Sequence, residues 1–180
     1  MLEIEIPASE FFDESTNEFF SVKGIVLRLE HSLVSLSKWE SKWKTPFLSD
    51  TPKTVEQTVD YVRCMTINQN VDPLVYKLIR NEHVEKINEY IAENMTATTF
   101  NDAHSPKKSR EIVTSELIYF WMAQFNIPME CQKWHLSRLL TLIRIASIKN
   151  SPEKKMSKRA ILSQNRSLNA ARRKMHNTRG

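Results

Sequence analysis

Glycine is nearly absent from this chain: of 180 residues, only Gly24 and Gly180 are glycine. Phosphate cradles, nucleophile elbows and dinucleotide-binding turns need several glycines where backbone must approach a ligand closely. None of them can be built here. Turns are left to Pro, Asn and Asp, which suits a helical protein. Cysteine is as scarce, and Cys64 and Cys131 make no disulfide framework; both are expected to behave as small core residues in a reduced setting. The longest apolar run, Leu117–Ala123, has seven residues, far short of the roughly 20 that span a membrane. The N-terminus shows no basic stretch ahead of an apolar one, so a soluble intracellular product without a membrane partner is expected.

Acid is the remaining scarcity, and it is local. Residues 151–180 carry nine Lys or Arg against Glu153 alone, a net of +8. The whole chain carries +5, so residues 1–150 carry −3. The alkaline balance therefore belongs to a basic C-terminal arm, 151–180, and the body over 1–150 is mildly acidic. A body of that length can bury a real core.

Period-two alternation in Leu2-Glu3-Ile4-Glu5-Ile6, stopped by Pro7, predicts a strand, and Ile25–Glu30 repeats the pattern after Gly24. Phe11-Phe12 and Phe19-Phe20 flank the turn-rich stretch 13–17, so residues 1–30 read as a hairpin or a three- to four-stranded sheet with one wet face. From Ser32 the period becomes helical, and 31–150 reads as a helical part. Leu36, Trp39 and Trp43 form one stripe ended by Pro46. Thr54–Gln57 is a capping box ahead of Val55, Val59 and Val62. Asp72-Pro73 pairs a cap with an N1 proline. Val84, Ile87 and Ile91 mark a helix over 82–94 capped by Asn81, and Thr96–Ser109 reads as an exposed loop.

The apolar centre runs from Glu116 to Ile148. Leu117, Ile118, Phe120, Trp121 and Met122 go most of the way round a helix, which must be buried in its fold or covered by a partner. In the next helix Ser137, Arg138, Thr141 and Arg144 define a wet face, yet Ile145 and Ile148 fall within it. They meet either a local contact or a partner helix. In the arm, Ile161, Leu168 and Met175 recur every seven residues, a thin stripe. Lys158 and Arg159 oppose the helix dipole at its start. Such a helix is expected to fray alone and to order on contact.

Few side chains point to chemistry. Cys131 and His135 have i, i+4 spacing, but no second ligand pair accompanies them, and a core thiol beside a hydrogen-bonded histidine is the better reading than zinc. No third group or oxyanion loop supports a Cys–His nucleophile. Glu56, Asp60, Glu82, Glu85, Glu89 and Glu93 read as solvated helix faces. A non-enzyme without cofactor or metal is expected. Lys154, Lys155, Lys158, Arg159, Arg166, Arg172, Arg173 and Lys174 could neutralise phosphates. The arm has no aromatic residue for base stacking, which makes nucleic acid the weaker partner. Trp39, Trp43 and Phe47 read first as core anchors, and second as a slot for an amphipathic partner helix. The candidate partner surface is thus Trp39, Trp43, Phe47, Arg138, Arg144, Ile145 and Ile148.

Several blocks resemble one family: LVSLSKWESKWKTPFL at 33–48, MTAT at 95–98, ELIYFWM at 116–122 with NIP at 126–128, and QKWHLSRLLTLIR at 132–144. The C-terminal blocks KKMSKR at 154–159, NRSLNAARR at 165–173 and NTRG at 177–180 continue the likeness. The family is a group of small proteins encoded in the tail module of long-tailed bacteriophages and associated with tail assembly chaperones. The resemblance implies binding to the tape-measure protein and tail-tube subunits, location in the host bacterial cytoplasm or alternatively the virion, and no catalytic residues. A structural tail or neck subunit is the alternative it leaves open, and homo-oligomerisation is compatible with either. The expected fold class is α+β: a small N-terminal antiparallel sheet, a mainly helical body and a basic C-terminal helix or arm.

Overall fold

A computed structural model describes residues 1–13, 17–100, 112–150 and 158–177. The fold is α+β, with an antiparallel N-terminal sheet followed by helices. The chain falls into two units, Met1–Ser147 and Ile148–Gly180.

Strands β1 (Leu2–Ile6) and β4 (Ile25–Leu29) pair antiparallel, Leu2 opposite Leu29 and Ile6 opposite Ile25. Strands β2 (Ser9–Asp13) and β3 (Glu18–Val22) form a second ladder, Ser9 opposite Val22. Both ladders keep one register, because paired positions in each sum to the same number. They are two stretches of a single long hairpin, interrupted where Pro7-Ala8 faces Lys23-Gly24. Pro7 has no N–H to give a ladder. Gly24 leaves room at the break: a Cβ there would stand 3.2 Å from the Ala8 amide nitrogen. Of the sequence alternatives, the hairpin is the one that forms.

The alternation works as read in the first ladder. Ile4, Ile6, Leu27 and Leu29 are buried on one face, while Glu3 and Arg28 form an ion pair on the other. Beyond β4 the chain pairs with two further segments. Glu30 N–H donates to the Met65 carbonyl at 2.9 Å, and Ile67 N–H to the Arg28 carbonyl at 2.8 Å. Leu136 N–H donates to the His31 carbonyl at 2.8 Å. The Asn68 amide covers the remaining edge by accepting from Arg28 N–H and donating to the Val26 carbonyl, which blunts a row of unpaired backbone groups.

Helix α1 (Leu33–Trp43) starts at a reciprocal Ser32–Ser35 cap and stops at Lys44 in the left-handed region, short of Pro46. Helix α2 (Val55–Met65) carries the capping box read from sequence, Thr54 with Gln57. Asp72 and Pro73 open a 3-10 segment, Pro73–Leu78. Helix α3 spans Asn81–Ala92; Asn81 is its first residue rather than its cap, and His83 accepts from the Arg80 N–H instead. Helices α4 (Ser115–Gln124) and α5 (Leu136–Asn150) flank a 3-10 turn at Met129–Lys133. Among the described residues, positive φ occurs at Asn17, Asn70, Asn126, Asn177 and Lys44 and at no glycine. Asparagine supplies the left-handed turns.

The core gathers Ile6, Leu27 and Leu29 from the hairpin, Leu36 and Trp39 from α1, Met65 from α2, Ile118 and Met122 from α4, and Leu136 and Leu139 from α5. In the second unit, helix α6 runs from Lys158 to His176. Lys154 and Lys155 lie outside the described residues.

Candidate partner surface and buried polar centre

The proposed aromatic slot is interior. Trp39 is fully buried and its Nε1–H donates to the Gln57 carbonyl at 2.9 Å. Phe47 is buried too, stacked on Tyr61 with ring centroids 3.9 Å apart and edge-on to Trp39 at 5.0 Å. The Lys53 ammonium lies 4.5 Å over the Phe47 ring. These two residues therefore anchor the core, and the slot reading is corrected for them. The physical reason lies in α2: Val55–Met65 lies across the stripe of α1, and Tyr61 takes the place a partner would have filled.

Trp43 is half-buried and donates through Nε1–H to Asp60 Oδ2 at 2.9 Å, while Lys42 pairs with Asp60 Oδ1. Asp60 is thus a buried, satisfied carboxylate, not part of a solvated face. Burial alone would push it up, but hydrogen bonds from Lys42 and Trp43, with the charges of Lys42 and Arg63, hold it below the ordinary carboxylate value.

On α5 the two isoleucines part company. Ile145 is half-buried, whereas Ile148 is 56% exposed. Arg138 lies over the Trp134 ring at 4.2 Å and Arg144 over Phe100 at 4.0 Å, so each guanidinium already covers an aromatic of its own chain. Helix α4, apolar nearly all round, buries Ser115, Ile118 and Met122 and leaves Phe120 60% exposed. Met129 in the following turn is 52% exposed. Phe120 reads from sequence only as one of five residues round an apolar helix, which gives no clue to which side stays open, and Met129 carries no sequence signal at all.

The chemistry-bearing side chains are turned inward. Cys131 is buried, and His135 Nε2 donates to the Tyr90 carbonyl at 3.1 Å. That fixes the tautomer, because a carbonyl can only accept, and leaves Nδ1 to face the Ser137 hydroxyl at 2.9 Å. His31, unmarked by any sequence motif, is buried against His135, with Nδ1 2.6 Å from the Tyr61 hydroxyl. Burial, and then the neighbouring His135, lower His31 to about 4. It is neutral at pH 7. Glu40, also unmarked, is buried and accepts from Phe47 N–H at 2.8 Å and from Ser115 N–H at 2.7 Å. One carboxylate thereby ties the loop after α1 to the first turn of α4, where the helix dipole favours an anion. Among the described residues, no group of three or more His, Cys, Asp or Glu could hold a metal ion. No described helix is long and apolar enough to cross a membrane.

On α6, Arg159, Arg166, Arg172, Arg173 and Lys174 are exposed, as are Ile161, Leu162, Leu168 and Met175. The seven-residue stripe read from sequence lies along a formed helix with no acidic residue in it.

Comparison with protein-family models, with curated proteins and with solved structures finds no match to this chain in any of the three.

Proposed function

We propose that this protein is a bacteriophage tail assembly chaperone, which binds the tape-measure protein, tail-tube subunits or both without catalysing a reaction. The motif resemblance names the family. The observation that carries the reading is a division of labour: His31, His135, Cys131 and Asp60 are consumed in interior contacts, while Phe120, Met129 and Ile148 stand more than half exposed. Large apolar side chains left in water favour association with another polypeptide. A tape measure is a long helical chain whose apolar stripes need cover until the tube encloses it. A standard contact of about 800 Å² per partner, repeated along one chain, gains further from avidity. The basic arm raises the encounter rate with acidic subunits and adds little to selectivity.

Mass spectrometry of purified particles beside infected-cell lysate tests the proposal. A chaperone is abundant in the lysate and missing from particles; abundance in both makes it a structural subunit instead. Co-purification with the tape measure that survives moderate salt supports apolar recognition. Binding to nucleic acid that is lost steeply with salt and with deletion of residues 151–180 supports the electrostatic alternative.

A further inference from the structure

The distal ladder of the hairpin exposes an aromatic pair. Phe12 and Phe19 face each other across the strands, with ring centroids 4.9 Å apart. They are 45% and 82% exposed. Glu10 shares their face, being two residues from Phe12, and is exposed as well. Between Ser9 and Val22 the sequence holds four acids and no Lys or Arg. A two-stranded ribbon is marginal by itself in water, and two exposed phenylalanines add to its need for cover.

Helix α6 has the opposite character. Its nineteen residues include six Lys or Arg and no acid. Two ridges run along it at seven-residue intervals, Ile161–Leu168–Met175 and Arg159–Arg166–Arg173. Each step is about 10.5 Å of helix rise. Arg172 stands about 40° round from Leu168, beside the apolar ridge and between Leu168 and Met175. Pairing of two α6 helices would oppose six cations with six, so its occupant must be acidic as well as apolar.

We propose that the acidic Phe12–Phe19 ribbon of one molecule is covered by α6 of a second copy. The two rings lie on the ridge between Leu168 and Met175, and Arg172 pairs with Glu10. Like meets unlike in this contact, so it is heterologous: each molecule offers one ribbon and one helix, and association propagates head to tail into open chains or rings. This goes beyond the tape-measure reading and stands without it, because it concerns only copies of this chain.

Sedimentation velocity of the full chain over a wide concentration range is the test. Assemblies should grow past the dimer with concentration and weaken at high salt. Phe12→Ser with Phe19→Ser, and separately Leu168→Asp with Arg172→Glu, should each weaken self-association by about thirtyfold or more. All four positions are exposed, and circular dichroism verifies that both variants keep the parent fold. Mixing the two crippled variants is decisive. Each retains one intact half, so the mixture should form a one-to-one heterodimer and nothing larger. In the full chain, Glu10→Arg together with Arg172→Glu should restore what either change alone removes. A chain that stays monomeric throughout, assembly indifferent to either pair of substitutions, or variants that fail to complement each other would overturn the proposal.

Discussion

The imidazoles of His31 and His135 meet in the interior, centroids 5.2 Å apart and inclined at 64°. One is held by the Tyr61 hydroxyl, the other between the Tyr90 carbonyl and Ser137. The backbone brings them together through the Leu136–His31 hydrogen bond, which makes residues 31–32 and 135 a short bridge. Burial, and then the neighbouring His135, disfavour a proton on His31.

Acid should therefore destabilise the protein in a defined window. The folded His31 titrates near 4 and the unfolded one near 6.5, so between those values the unfolded chain binds the extra proton. Stability is complete above pH 6.5, falls as pH drops, and by pH 4 has lost about 3 kcal/mol from this group. Urea titrations from pH 7.5 to 4 measure the slope, and His31→Leu should flatten it. Asp60 is held low, so its contribution is lost only as pH falls further; it does not account for the upper part of the window.

Removing Glu40 should cost more than any exposed acid. Glu40→Ala strands two buried amides, those of Phe47 and Ser115, and should lower unfolding free energy by about 3 kcal/mol. Glu40→Gln keeps one carbonyl acceptor and should lose roughly half as much. Equilibrium denaturation ranks the two; equal and small losses would show that the bridge adds little.

The tryptophans should separate sharply. Trp39→Ala empties a fully buried site and should cost about 3–5 kcal/mol. Trp43→Phe forfeits chiefly the hydrogen bond to Asp60, about 1 kcal/mol. An unchanged melting curve for Trp39→Ala would return Trp39 to the partner surface.

Ile145 and Ile148 should also part. Ile148→Asp, at an exposed position, should leave stability within about 0.5 kcal/mol while reducing capture of the tape-measure protein in co-purification. Ile145→Asp puts a charge at a half-buried position and should lower stability by about 2 kcal/mol. If Ile148→Asp changes neither quantity, this end of α5 is not a contact surface.

What was legible followed from short-range pattern. Alternation at Leu2–Ile6 and Ile25–Leu29 placed the first ladder, and Thr54 with Gln57 placed the start of α2. What was not legible was long-range. Asp60 reads as a surface acid because nothing near it in sequence announces Lys42 and Trp43, 18 and 17 residues away. Glu40 hides in the same way, since Ser115 is 75 residues distant. Trp39 and Phe47 read first as core anchors and second as a slot, and the cover that excludes the slot comes from α2, which their own spacing does not announce. Helical periodicity assigns a face to each side chain and is silent about what covers it. The seven-residue ridge of α6 was readable because it needs no neighbour to define it.

The interruption at Pro7-Ala8 and Lys23-Gly24 imposes an arithmetic on the arm beyond it. Count is conserved through the gap, so residues can be gained or lost there only in matched pairs. One unmatched residue would swing every side chain further out to the opposite face, hiding Phe12 or Phe19 and presenting its neighbour. The hairpin can thus tolerate a change of length, but not of parity on one side alone.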